Sequence, residues 1–190
     1  TRLVIMSVPY SGRQDQNPME GMKAALQDNF FYILYHNEPN GVAEKEYDKD
    51  PSGLISRFYQ SPDSPRKPPK ITDSKRSAGG FLPRIGEQEG SIAWFSDEGL
   101  DYVVHQFEQS GFRGGVNYYR NIERNWKLTE DLKDHNIKVP TLFLAGTQDM
   151  VIAGASKESL ESSMKEAIPL LEEVILLPNI GHWVQQEAAE

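Results

Sequence analysis

The sequence predicts an α/β fold in which a mainly helical segment is inserted into a parallel sheet. An apolar run stands at the very first residues, a long helix- and loop-forming stretch follows, and strands and helices alternate between residues 131 and 190. Such alternation is typical of a parallel sheet flanked by helices. We therefore expect residues 1–15 to form a core strand and turn, residues 16–128 a helical insertion, and residues 129–190 a second part of the core.

The opening strand is predicted over Arg2–Val8, before a turn at Pro9-Tyr10-Ser11-Gly12. A continuous apolar run of this length fits a strand that is buried on both faces of a parallel sheet. A natural N-terminus rarely begins inside a buried strand. We therefore expect further sequence upstream of Thr1.

Helix starts in the insertion are marked by capping residues. Asn17-Pro18 and Asp50-Pro51 each place a capping side chain before a proline, which suits the first helical position. Ser96 is predicted to cap a helix that Gly111 ends. A further helix is predicted over Val116–Trp126.

Residues 61–90 differ from the rest because they are rich in proline, glycine and basic residues. This composition favours a solvated loop. The alternative is an adaptable wall of a substrate channel.

The C-terminal part contains two short apolar runs, at Thr141–Ala145 and Val174–Leu177. A helix is predicted between them, over Ser156–Ala167, and a last helix from Trp183 onward. Together these elements give the strand–helix–strand order of a parallel sheet.

Composition excludes several classes of function. A net charge of −8 and a pI near 5.1 argue against a nucleic-acid partner. The absence of cysteine excludes a disulfide framework, a thiolate nucleophile and a cysteine–zinc site. No apolar run approaches the length of a membrane span, so we expect no membrane partner and a cytoplasmic location.

Two residues follow the C-terminal strands at positions suited to catalysis. Asp149 comes shortly after the strand Thr141–Ala145, and His182 shortly after Val174–Leu177. The carboxyl ends of parallel strands share one edge of a sheet, so both side chains are predicted there. An aspartate that orients a histidine forms two thirds of a nucleophile–histidine–acid triad. The same residues also fit a turn aspartate and a packed loop histidine.

The nucleophile of such a triad is not found in these residues. The sequence contains no G-x-S-x-G or G-x-D-x-G elbow and no glycine-rich oxyanion segment. In proteins with the chain order nucleophile, acid, histidine, both elements precede the acid. The sequence therefore predicts that the nucleophile lies upstream.

Four ordered segments resemble the soluble epoxide hydrolases of plants and animals, which are α/β-hydrolases. Two resemble the lid of that family, one its acid strand and one its histidine loop: Phe31–Gly41, Gly111–Trp126, Pro140–Asp149 and Ile180–Glu187. The resemblance covers nearly the whole chain and is weakest over residues 61–90. It implies a partial α/β-hydrolase core with a helical lid, and an N-terminal half that holds the nucleophilic aspartate.

The resemblance implies an enzyme that hydrates an apolar epoxide to a vicinal diol. Tyr32 and Tyr119 match the lid tyrosines that activate the epoxide oxygen, Asp149 the charge partner, and His182 the base that activates water. Ile33 departs from the family, because mammalian members have a polar amide there. No metal or organic cofactor is needed, and a homodimer is left open. The residues expected to line the pocket are Trp183, Phe30 and Val151.

Other interpretations of the same residues stay open. Tyrosines in an aromatic-rich segment are usually packing residues, and Tyr35, Tyr47, Tyr59 and Tyr118 are interpreted in that way. His36, His105 and His135 are interpreted as surface or packing residues. A haloalkane or haloacid dehalogenase, an esterase, or a non-catalytic ligand-binding homologue could share the Asp–His half. These 190 residues alone are expected to be inactive.

Overall fold

A computed structural model describes residues 1–189 of the chain. The strands are β1 (Leu3–Met6), β2 (Thr141–Gly146) and β3 (Leu171–Leu177). The α-helices are α1 (Pro18–Leu26), α2 (Tyr32–His36), α3 (Val42–Tyr47), α4 (Pro51–Phe58), α5 (Asp97–Ser110), α6 (Arg113–Arg120), α7 (Ile122–Leu128), α8 (Lys157–Lys165) and α9 (Val184–Glu187).

The chain divides into two compact units. The sheet unit comprises Thr1–Arg13, Ser61–Asp63 and Thr129–Glu190. The helical unit comprises Gln14–Gln60 and Ser64–Leu128. The sheet unit thus contains all three strands with α8 and α9, and the helical unit contains α1 to α7.

The sheet is parallel, in the order β1-β2-β3. Strand β2 carries the alternation of a half-buried strand, with Thr141, Phe143 and Ala145 fully buried. Helix α8 covers this face with Leu160 and Met164. The fold class predicted from the sequence, an α/β fold with parallel strands and an inserted helical segment, is confirmed.

The prediction that the first strand is buried on both faces is wrong. Strand β1 is also shorter than predicted, and its burial alternates, with Val4 53% and Met6 43% exposed. Ile5 points the other way and packs against the core of the sheet unit. An apolar run alone does not distinguish a strand with one covered face from a strand with two.

Helix α8 begins at a capping box. The Ser156 hydroxyl accepts from the Ser159 amide, and the Ser159 hydroxyl accepts from the Ser156 amide. Two amides that the helix leaves without partners are thereby satisfied. The cap fixes the start of the helix whose apolar side covers the sheet.

The helical unit has a core of its own, built from both aromatic and aliphatic residues. The predicted caps are present, because the side chains of Asn17, Asp50 and Ser96 each accept a hydrogen bond from an amide in the first turn of α1, α4 and α5. The buried residues of this core are Tyr35, Ala43, Tyr47, Leu54, Ile55, Leu82, Phe112 and Val116.

None of the helices in residues 1–189 combines the length and apolar character needed to span a membrane.

The single helix predicted over Val116–Trp126 is two helices, α6 and α7, and that prediction is wrong in its bounds. The break falls at Asn121, whose side-chain amide donates to the Asn117 carbonyl at 2.8 Å. Asparagine competes for backbone groups in this way and favours helix ends over helix interiors. The break follows directly after Arg120, the last residue of α6.

Residues 61–90 contain no α-helix or extended strand, only isolated β-bridges and two short 3-10 turns, Arg76–Ala78 and Leu82–Arg84, so the predicted loop is confirmed. Arg84 stabilises the conformation of this segment through several contacts. Its guanidinium donates to four backbone carbonyls and lies 4.2 Å from the centre of the Phe30 ring. The four carbonyls belong to Asp73, Lys75, Gly79 and Gly80.

Candidate active site

The carboxyl ends of the three strands bring three polar residues together in the sheet unit. Ser7 follows β1, Asp149 follows β2, and His182 follows β3. The Asp149 Oδ2 and His182 Nδ1 atoms are 2.9 Å apart, and the Ser7 hydroxyl donates to the His182 carbonyl at 2.7 Å. The predicted meeting of Asp149 and His182 at one edge of the sheet is therefore confirmed.

Asp149 is held rigidly by both of its oxygens. It is 1% exposed, and its Oδ1 accepts from the Val151 amide at 2.8 Å while Oδ2 faces His182. A buried carboxylate is costly unless it is paired and hydrogen-bonded. Here both conditions are met, so the carboxylate fixes the orientation of the imidazole.

The electrostatics of His182 suit a general base. The hydrogen bond to Asp149 raises its pKa above the usual value, burial opposes this shift, and the charges of Asp149 and Glu187 add to it. With Nδ1 facing Asp149, Nε2 is the nitrogen left to accept a proton. After proton uptake, the carboxylate stabilises the imidazolium.

Two of the predicted pocket residues lie beside this pair. The Trp183 ring stands edge-on to the His182 ring, with 5.3 Å between their centres. Val151 is 47% exposed and contacts Asp149 through its amide. Their contact with a substrate stays a prediction.

The two predicted tyrosines lie side by side in the helical unit. Tyr32 begins α2 and Tyr119 stands near the end of α6, with ring centres 5.4 Å apart and planes at 88°. Both are half-buried, and burial raises the pKa of both phenols. Within residues 1–189 no hydrogen bond engages either hydroxyl. Both phenols therefore stay protonated and can act as donors.

Phe30 and the remaining tyrosines take different places. The Phe30 ring, which is partly buried, packs against Tyr35 and stacks on Phe81 beside the core of the helical unit. Tyr35 and Tyr47 are buried packing residues, as predicted. Tyr118 is 77% exposed, so its interpretation as a packing residue is wrong.

His36 is a buried residue that packs against the tyrosine pair. It is 4% exposed, its Nε2 lies 2.8 Å from the Tyr47 hydroxyl, and its ring centre lies 4.6 Å from that of Tyr119. The sequence left open whether His36 is a surface or a packing residue, and its burial shows that it is a packing residue. Arg120 closes this cluster, since its guanidinium donates to the His36 carbonyl and pairs with Glu44.

The stability of the helical unit should fall in mild acid because of His36. Burial, helped by the charge of Arg120 and opposed by Glu44, lowers its pKa from 6.5 to about 4. Between these values the unfolded chain binds a proton that the folded chain rejects, so stability is complete above pH 6.5 and is lost as pH falls. The loss should reach about 3 kcal/mol across this window.

Urea unfolding at several pH values tests this effect. We expect His36→Phe, which keeps a flat ring, to flatten the pH dependence of the unfolding free energy. His105→Gln is the matched control, since the His105 side chain is 62% exposed. An unchanged acid slope in His36→Phe would contradict the assignment.

The sequence did not single out Glu187 or Ser7. Glu187 accepts from the amides of Gly181 and Trp183, which flank His182. The available signals were an acidic residue in the first turn of the helix after the histidine loop and a hydroxyl directly after β1. Both signals are weak without the loop conformation.

Comparisons with known proteins find epoxide hydrolases as similar sequences. No protein-family model matches the chain. Epoxide hydrolase A of Mycobacterium tuberculosis is 37% identical over 96% of this chain and 55% of its own length. Epoxide hydrolase 1 of Siraitia grosvenorii is 32% identical over 99% of this chain and 58% of its own.

A solved structure gives the same result for the fold. The crystal structure of epoxide hydrolase A from Mycobacterium thermoresistibile is 37% identical and aligns with a TM-score of 0.82, over 100% of this chain and 58% of that one. The chain thus spans somewhat more than half the length of the relatives that it matches. By sequence and by fold, the chain is similar to epoxide hydrolases, which have the α/β-hydrolase fold, over somewhat more than half of their length.

Proposed function

We propose that this chain supplies the lid and the water-activating half of an epoxide hydrolase. The observation that carries the proposal is the half-buried Tyr32–Tyr119 pair with two uncommitted hydroxyls. Two phenol donors favour an epoxide, whose departing oxygen takes up a proton, over a haloalkane, whose departing halide does not. The bonded Asp149–His182 pair supports the second step of the same reaction.

In the first proposed step the epoxide ring opens. The two phenols donate hydrogen bonds to the epoxide oxygen while a carboxylate attacks one ring carbon. The carbon–oxygen bond of the ring breaks, an ester bond forms, and one phenol gives its proton to the departing alkoxide. Because these residues contain no nucleophile elbow, the attacking aspartate comes from the part of the protein that corresponds to the N-terminal half of the relatives.

In the second proposed step water cleaves the ester. His182 Nε2 takes a proton from water as its oxygen attacks the ester carbonyl, and Asp149 stabilises the imidazolium. The tetrahedral intermediate then collapses: the bond between the acyl carbon and the diol oxygen breaks, the diol leaves with the proton of the reformed carboxyl group, and the nucleophile returns to its carboxylate form. The proton held by His182 then returns to the phenolate, so that the sum is epoxide plus water to diol.

The remaining parts of the proposal follow from this assignment. Residues 16–128 serve as the lid, and residues 1–15 and 129–190 as parts of the core. The substrate is an apolar epoxide, and Trp183, Phe30 and Val151 contact it. No metal or organic cofactor takes part in the reaction, and these 190 residues alone are inactive. The full-length protein is cytoplasmic, and it acts as a monomer or a homodimer.

The test is conversion of a panel of epoxides to diols by the full-length gene product, with Tyr119→Phe beside it. We expect diol formation, and a fall in kcat of roughly 10- to 100-fold in Tyr119→Phe, because one donor to the developing alkoxide is lost. Tyr118→Phe is the matched control, since that neighbour on α6 is 77% exposed and should keep full activity.

Each alternative gives a different result in this assay. Halide release from haloalkanes without diol formation would indicate a dehalogenase. No turnover of epoxides, haloalkanes or esters by the folded protein would favour the ligand-binding alternative. Full activity of Tyr119→Phe would remove the tyrosine from the proposed mechanism.

A further inference from the structure

The loop that carries His182 is held by a carboxylate that belongs to neither of the proposed catalytic pairs. Glu187 Oε2 accepts from the Gly181 amide at 2.9 Å, and Oε1 accepts from the Trp183 amide at 3.0 Å. One carboxylate thereby bridges the residues directly before and after His182. Charge-assisted hydrogen bonds of this kind are stronger than those between neutral groups.

The rest of the loop is shaped around this carboxylate. A side chain at position 181 would bring its Cβ within 2.9 Å of Glu187 Oε1 and of Pro62. Glycine is therefore required if the Gly181 amide is to approach Glu187. The Ser7 hydroxyl holds the His182 carbonyl from the opposite end, at 2.7 Å.

We propose that Glu187 is a positioning residue for His182, which fixes the backbone on both sides of the histidine and adds a negative charge next to its ring. This inference rests on the proposed function, in which His182 is the base. The charged groups that act on the ring are Asp149, bonded to Nδ1, and Glu187. Ser7 and Trp183, which also contact the histidine, carry no charge.

The two contributions of Glu187 are separable by substitution. Glu187→Gln removes the charge and replaces one of the two acceptor oxygens with an NH2 donor, so the hydrogen bond at that oxygen is lost. Glu187→Asp keeps the charge but has a shorter side chain. Its hydrogen bonds to the two amides therefore weaken, while a negative charge near the His182 ring remains. Gln186→Ala is the matched control, because its side chain is exposed on the same helix.

The first measurement is the titration of the His182 ring by NMR in the histidine-labelled full-length gene product. Its signals are assigned by their loss in His182→Gln. Since both negative charges raise the pKa of His182, Glu187→Gln should lower it, whereas Ser7→Ala and Gln186→Ala should leave it unchanged. Glu187→Asp should keep the pKa close to that of the parent protein.

The second measurement is the pH dependence of kcat. A base with a lower pKa stays neutral further into acid, so the acid limb of the profile should move to lower pH in Glu187→Gln. The maximal kcat should fall roughly 10- to 100-fold in both Glu187 variants, because the base is misplaced. Gln186→Ala should match the parent.

The outcomes separate this inference from the proposed function. A His182 titration that is the same in Glu187→Gln as in the parent would overturn the inference, even in an active enzyme. If Glu187→Gln does not fold, full kcat in Glu187→Asp would overturn it instead. A shifted titration in a protein that hydrates no epoxide would retain the role of Glu187 and remove the proposed function.

Discussion

Replacing His182 with glutamine is expected to stop the reaction after the ester has formed. Glutamine keeps a polar side chain but has no basic nitrogen, so water is no longer activated. Steady-state diol formation should fall on the order of 10³-fold or more. Ring opening by the nucleophile and the two tyrosines does not use His182, so the first step should proceed.

The intact mass of the full-length protein distinguishes this result from a general loss of activity. After addition of an epoxide, the variant should gain the mass of one substrate molecule and keep it, whereas the parent should return to its original mass. His135→Gln, at an exposed position, is the matched control. Unchanged turnover in His182→Gln would show that another group is the base.

The Asp149–His182 pair could be predicted from the sequence because a general rule places it. Parallel neighbouring strands end at the same edge of a sheet, and both residues lie in the loops that follow such strands. Short apolar runs bounded by turn residues were enough to identify the strands. The same rule would have placed Ser7 at this edge, since it follows β1.

Helical periodicity separates Tyr118 from Tyr119, and the sequence contains this information as well. Val116 is buried in α6, and Tyr119 is three residues further, on the same side of the helix. Tyr118 lies about 100° away from Tyr119 around the axis, and it is exposed. The break at Asn121 was less accessible, because it depends on a side chain that turns back to the Asn117 carbonyl.

The role of Glu187 and the open face of β1 could not be predicted from local patterns. The Glu187 carboxylate binds amides whose direction is set by the loop before the helix, and a single glycine in that loop, Gly181, does not by itself indicate this conformation. The face of β1 that carries Val4 and Met6 is apolar in sequence yet exposed. Burial depends on what packs against a strand, whereas an apolar run shows only that burial would be favourable.

Replacing Gly146 with alanine is expected to have the largest effect on the stability of the sheet unit. Gly146 ends β2 just before the loop that carries Asp149, and a Cβ there would overlap the carbonyl oxygens of Ile180 and Gly181. Backbone atoms of a neighbouring loop cannot rotate away as a flexible side chain can. The two loops would have to separate, at a cost of about 3 kcal/mol.

The separation should also be visible at the site itself. The Gln148 amide donates to the Ile180 carbonyl at 3.0 Å, so the loops that carry Asp149 and His182 are bonded directly beside Gly146. When they move apart, the Asp149–His182 hydrogen bond should lengthen or break, and kcat should fall together with the free energy of unfolding.

Urea unfolding of the parent and of two alanine variants measures the effect. Gly21→Ala is the matched control, because a Cβ at this position in helix α1 meets no atom within 4 Å. Alanine there should stabilise the helix by about 0.5–1 kcal/mol, since glycine loses more backbone entropy on folding. Gly146→Ala should shift the midpoint in the opposite direction, because steric overlap outweighs the same entropic gain. Equal urea midpoints for Gly146→Ala and the parent would contradict this prediction. They would mean that the Ile180 and Gly181 carbonyls leave room for a Cβ at position 146.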